Sequence, residues 1–129
     1  MANPKHVEIL REGKAGWDFT RGQRPNVIPD LCGADLRNVD LTEMNLSSAN
    51  LAGANLAGVD LTSANLGGAN LNSANLAGAN LAFADCSGAD LNNANLYGSN
   101  LCLSTGLTKE QIAGAKVDKT TRLPKYLDF

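Results

Sequence analysis

The chain reads as an all-β solenoid closed at both ends by short α-helical segments. Three observations lead there. A register of five residues runs unbroken from Pro29 to Leu103; that period suits neither an α-helix nor a flat strand; and both flanks carry helix-start signals instead of the repeat. With 129 residues there is room for one domain. Hydrophobic residues reach 43% but aromatics only 5%, so the core must be built from Leu and Ala. The organisation expected is a cap and lead-in over residues 1–28, fifteen repeat units over 29–103, and a second cap with a tail over 104–129.

The first flank opens on Asn3-Pro4, an N-cap followed by a first helical residue, with Val7 and Leu10 giving a short apolar face. Gly13, Gly16 and Gly22 interrupt it, which predicts a helix of limited length. Trp17 and Phe19 supply bulk to cover the first coil. Met1–Lys14 holds no apolar leader core, and no run of roughly 18 apolar residues occurs, so neither a signal peptide nor a membrane span is expected.

In the repeat, Leu31, Leu36, Leu41 and each fifth residue to Leu101 share one register, with Cys86 in its one gap. The residue before each centre is always Asn or Asp. Two before it stands mostly Ala, with Pro29, Val39, Met44, Val59 and Ser99 as exceptions. On an α-helix a step of five is ~500°, so successive Leu drift ~140° and no apolar face forms. On a flat strand an odd step sends them to alternate faces. All can point inward only if the chain bends once per unit, and repeated bends coil into a solenoid. Internal similarity leaves the turn open: Val39–Thr42 recurs twenty residues on at Val59–Thr62, but Ser48–Ala57 recurs twenty-five on at Ser73–Ala82.

Fifteen tandem A-(N/D)-L-x-x units resemble the pentapeptide-repeat family, common in bacteria and especially cyanobacteria. The resemblance covers Pro29–Leu103. It implies a right-handed quadrilateral β-helix of four units per coil, with the central Leu and the Ala two before it inward and the two residues after the Leu outward. The stack would then hold about three and three-quarter coils and stand roughly 18 Å tall at ~4.8 Å per coil. Each inward Leu would contribute ~1.5–3 kcal/mol of burial. A small Ala suits so narrow a tube. Asn and Asp suit the bends because they bond nearby backbone, and their stacking suggests Asn ladders between coils.

After Leu103 the register breaks. Thr108-Lys109-Glu110-Gln111 reads as a capping box opening a short helix through Ile112 and Ala113. Ala115-Lys116-Val117 fits one degenerate unit, and Tyr126, Leu127 and Phe129 are candidates to pack back. Each flank carries a net charge of +2 and the repeat −6, so an acidic column has basic ends.

No constellation for catalysis stands out. The single His6 lies outside the repeat and is expected as a solvated surface residue. Cys86 takes a column position, where a buried thiol acts as a small hydrophobe. Cys32 and Cys102 follow Leu centres on different sides, so no disulfide is expected, and three free thiols suit a reducing cytoplasm. Asp40 and Asp60 would stack in a twenty-residue turn, but without a third ligand or a nucleophile. The expectation is no enzyme, no cofactor and no metal.

Of thirty outward positions only Arg37 and Glu43 are charged. Some members of the family inhibit DNA gyrase, which suggests, as an alternative, a rod mimicking duplex DNA. Such a mimic needs a regular array of exposed negative charge, and these walls are nearly neutral. No direct nucleic-acid binding is expected. A Thr-lined surface for ordered water fails as well, because Ala82 and Cys102 continue the Thr42–Thr62 column. Phe83 and Leu103 are twenty apart and would stack, with Tyr97 on a neighbouring side. Either the C-terminal segment with Leu107 and Ile112 covers them, or they form the docking patch of a protein partner. A monomeric scaffold acting through protein contacts is the function expected.

Overall fold

The computed structural model describes residues 1–127. Among them are three helices, α1 (Pro4–Glu12), α2 (Lys14–Gln23) and α3 (Lys109–Gly114). Between α2 and α3 the backbone rises in coils joined by single parallel bridges. Asp30 pairs with Asn50, Asn50 with Asn70 and Asn70 with Asp90; three further columns start at Asp35, Asp60 and Asn45. Within the repeat every bridge spans twenty residues, so four units make one coil. The twenty-five-residue similarity is a coincidence of composition, since Ala, Asn and Leu recur in every unit.

Each unit uses its five residues in a fixed way. The central Leu and the residue before it pair with the coils above and below: Leu51 N–H donates to Asn70 O at 2.7 Å, and Asn70 N–H donates to Ala49 O at 2.9 Å. The chain then turns, and Ala54 N–H closes the turn on Leu51 O at 3.0 Å. The second residue after the Leu has a left-handed φ at fourteen corners, Gly33 to Gly98. Such a turn needs φ > 0 at its third residue, which is why Gly is frequent there.

The side chain before each Leu fastens the corner. In all fifteen units its Oδ1 accepts the backbone N–H two residues on, at 2.9–3.2 Å. That bond uses an oxygen which Asn and Asp share, so the two interchange freely. It also removes most of the expected Asn ladder. Among the described residues one side-chain hydrogen bond joins two coils of the repeat, Asn100 Nδ2 to Asn80 Oδ1 at 3.5 Å. The inward column is dry: no central Leu from Leu31 to Leu101 is more than 3% exposed, and Cys86 fills its gap at 2%.

The first flank forms two helices. Only Gly13, at φ 117, breaks the run; Gly16 and Gly22 lie inside α2, where each weakens the helix without ending it. Leu10 and Trp17 close the bottom of the core, whereas Phe19, expected to help, stands 69% exposed. At the other end pairing continues past Leu103. Thr105 bridges Asp85, Lys116 bridges Asn95 and Arg122 bridges Asn100. Backbone pairing needs no Leu, so the coil outlasts the motif. Helix α3 is inserted between Thr105 and Lys116, opened by the Thr108–Gln111 capping box, and it buries Ile112. Leu127 packs against the core and the Tyr126 hydroxyl donates to Ser104 O at 3.1 Å. Phe129 lies outside the described residues.

Candidate docking face

Phe83 is the second residue after Leu81, at a corner where its side chain must point outward. Its φ of 62 is one that bulky side chains rarely adopt. Its N–H donates to Leu103 O at 3.1 Å, which sets the two residues one coil apart on the same corner. They are 60% and 55% exposed. Tyr97 follows Leu96, its N–H held by Asn95 Oδ1 at 3.0 Å, and is 44% exposed. Leu107, just before α3, and Ile112 within it are buried in the core cluster, so this segment spends its apolar side chains on the core and leaves Phe83 and Leu103 exposed. Between the large side chains the wall is small and polar, with Ala82, Cys102, Asn80 and Asn100.

The titratable groups of the column are occupied by structural bonds. The Arg37 guanidinium, pairing with Asp35 at 2.8 Å, and the Arg37 backbone N–H hold the Asp35 carboxyl down to about 2. Backbone and hydroxyl bonds from Thr42 lower Asp40, and those from Ser87 lower Asp85. Burial, aided by the neighbouring Asp85 charge, pushes the Cys86 thiol up to about 12, so it stays protonated and inert. Cys32 and Cys102 are free and half-buried. Among the described residues no group of His, Cys, Asp and Glu is arranged to hold a metal, and no helix is long and apolar enough to cross a membrane.

His6 differs from its expected place in solvent. Its Nδ1 accepts the Asp30 N–H at 2.9 Å, and Asn3 N–H donates to Asp30 O at 2.9 Å, so α1 takes over the pairing that a lower coil would supply. Arg11 donates to Asp35 O, Trp17 Nε1 to Asn45 O at 2.7 Å, and Arg21 to Ser47 O at 2.9 Å. Trp17 was expected over the first coil, but the bonds of His6, Arg11 and Arg21 were hidden in the sequence, because each joins positions 24–26 residues apart.

A family model for pentapeptide repeats matches residues 30–63, 45–76 and 69–105, together more than half of the chain. The chain belongs to the pentapeptide-repeat family. Among solved structures it is similar to the pentapeptide repeat protein Rfr23 from the cyanobacterium Cyanothece 51142, at 39% identity and a TM-score of 0.59. That match covers 67% of this chain and 58% of the other. A pentapeptide repeat protein from the Arabidopsis thaliana thylakoid lumen is 29% identical, with a TM-score of 0.59, over 69% of this chain and 58% of its own. The chain therefore spans less than two thirds of either relative's length. Pentapeptide-repeat proteins are thus not confined to bacteria or to the cytoplasm. A search of curated proteins finds no match.

Proposed function

We propose that this pentapeptide-repeat protein is a non-enzymatic scaffold, a right-handed quadrilateral β-helix that binds a partner protein through Phe83, Leu103 and Tyr97. The observation that carries the reading is Phe83. An aromatic residue held at φ 62, where the other left-handed corners have Gly, Ser, Asn or the single Glu43, strains the fold and is left 60% exposed. Strain of this kind costs on the order of 1–3 kcal/mol and tends to occur where a side chain is needed in place. Leu103 on the same corner widens the patch. The protein acts as a monomer in a reducing compartment such as the cytoplasm, which fits its free half-buried thiols.

The DNA-mimic alternative has less support. It calls for stacked carboxylates in place of phosphates, and Asp40 with Asp60 is the one such pair in neighbouring coils of a column. The scaffold reading predicts that Phe83→Ser spares the fold, since Ser63 takes the same corner one coil below at φ 60. Capture from native extract should retain a partner on the wild type and lose it on Phe83→Ser and on Leu103→Ser. Equal retention by all three would remove the patch from the function, and inhibition of gyrase supercoiling by the wild type would favour the mimic.

A further inference from the structure

A groove of about 520 Å³ opens at the opposite end of the molecule, between α1, α2 and the lead-in residues 24–29. Its volume lies in the range of small-molecule sites, roughly 300–1,000 Å³. Ile9, Trp17, Phe19 and Val27 make it apolar. Lys5, Arg21 and Arg24 make it cationic, and no Asp or Glu lines it. The ion pairs among the described residues, Lys14–Asp18 and Arg37–Asp35, involve none of these three cations. Arg21 spends hydrogen bonds on Asn45 O and Ser47 O but meets no carboxylate, and burial pulls its guanidinium down from its ordinary value.

The histidine supplies a second, independent sign. Because His6 Nδ1 accepts the Asp30 N–H, the neutral ring carries its proton on Nε2. Among the described residues the hydrogen-bond partner of Nε2 is Asn3 Nδ2, at 3.4 Å, itself a donor. Turning that amide round would lose the bond from Lys5 N–H to Asn3 Oδ1, at 2.9 Å. Among the described residues the Nε2 proton thus has no acceptor, and His6 lines the same groove as the cations that lack an ion pair.

We propose that this groove binds a small organic anion, with one carboxylate, sulfonate or phosphate head on an aromatic or aliphatic body. Lys5, Arg24 and His6 Nε2–H hold the head, and Trp17, Phe19 and Val27 hold the body. The site is separate from the Phe83 face and does not depend on it.

Anilinonaphthalene sulfonate has this chemistry and reports its own burial by fluorescence. Titrated into the intact protein, it should bind at about one site. Arg24→Gln and Lys5→Gln, both changing side chains without a structural partner, should each weaken binding about tenfold, as loss of a charge-assisted bond does. Phe19→Ser should weaken it too, and Phe83→Ser should leave it unchanged. Octanoate should displace the probe, whereas the uncharged phenylnaphthylamine, the same rings without the sulfonate, should bind at least about tenfold less tightly. Equal binding of the uncharged probe, or loss of the signal in Phe83→Ser, would overturn the proposal. So would displacement by a Glu-rich peptide carrying one Phe but not by octanoate, which would assign the groove to a protein segment.

Discussion

The side chain before each central Leu works through a single atom. Its Oδ1 takes the N–H two residues on, so the corner is fastened locally and an Asn or an Asp serves equally well. At Asn75 the bond from Ala77 N–H is 3.0 Å and the residue is half-buried, with Asn55 below and Asn95 above. Asn75→Ala should destabilise the fold by about 1 kcal/mol, the net worth of one such bond. Asn75→Asp keeps the acceptor and meets no stacked carboxylate, so it should shift stability by less than ~0.5 kcal/mol. Chemical denaturation of both variants checks this; equal losses would mean that the amide nitrogen matters as well. This scale was the most legible in the sequence. The corner bond is made within one unit, so a five-residue pattern records it. His6 was not legible for the converse reason: its role is set by Asp30, 24 positions away.

The sides of the coil are elements of a few residues each, and their ladders show where neighbouring units fit badly. Asp40 and Asp60 occupy matching places one coil apart, yet no bridge joins them, and the bonds expected from Leu41 N–H and Asp60 N–H are missing. Two features coincide there. The carboxylates are the one Asp–Asp pair in neighbouring coils, and the residues before them, Val39 and Val59, are bulkier than the usual Ala. Like charges one above the other repel, and branched side chains crowd a narrow tube. Each carboxylate is turned onto its own Thr hydroxyl, Thr42 for Asp40 and Thr62 for Asp60. Asp40→Asn and Val39→Ala separate the causes. Whichever variant restores slow hydrogen exchange at the Leu41 and Asp60 amides identifies the element at fault. Charge predicts that Asp40→Asn does so; rescue by Val39→Ala alone would make crowding the reason. The helices were harder to read than the sides. Gly13, Gly16 and Gly22 look alike in sequence, but only Gly13 adopts a φ that stops a helix, and that choice depends on how α1 and α2 fold over the first coil.

At the scale of the whole molecule the problem is edges. A solenoid ends in bare backbone N–H and C=O groups, which invite pairing with another chain. The two ends are closed by different means. Above, the Gln111 amide donates to Cys86 O and Ala89 O at 3.0 and 2.9 Å, while Thr121 donates to Leu96 O at 2.9 Å. Below, side chains of two helices reach the first coil: His6 and Arg11 on adjoining sides, Trp17 and Arg21 on the side of Asn45. The caps are basic because bare carbonyls call for donors, and Arg offers several in a fixed fork. The charge difference between ends and column thus follows from edge closure before any partner is considered. Trp17→Phe with Arg21→Met keeps bulk and apolar contact but strips the donors from Asn45 O and Ser47 O. The doubly substituted protein should lose on the order of 1–3 kcal/mol for each carbonyl left unsatisfied. It should also associate as its concentration rises, because the exposed edge can pair with a second chain. Thermal unfolding and sedimentation velocity read the two effects separately. Lost stability without association would mean that the helices shield the edge by bulk alone, and a monomer of unchanged stability would show that water satisfies those carbonyls as well as Trp17 and Arg21 do.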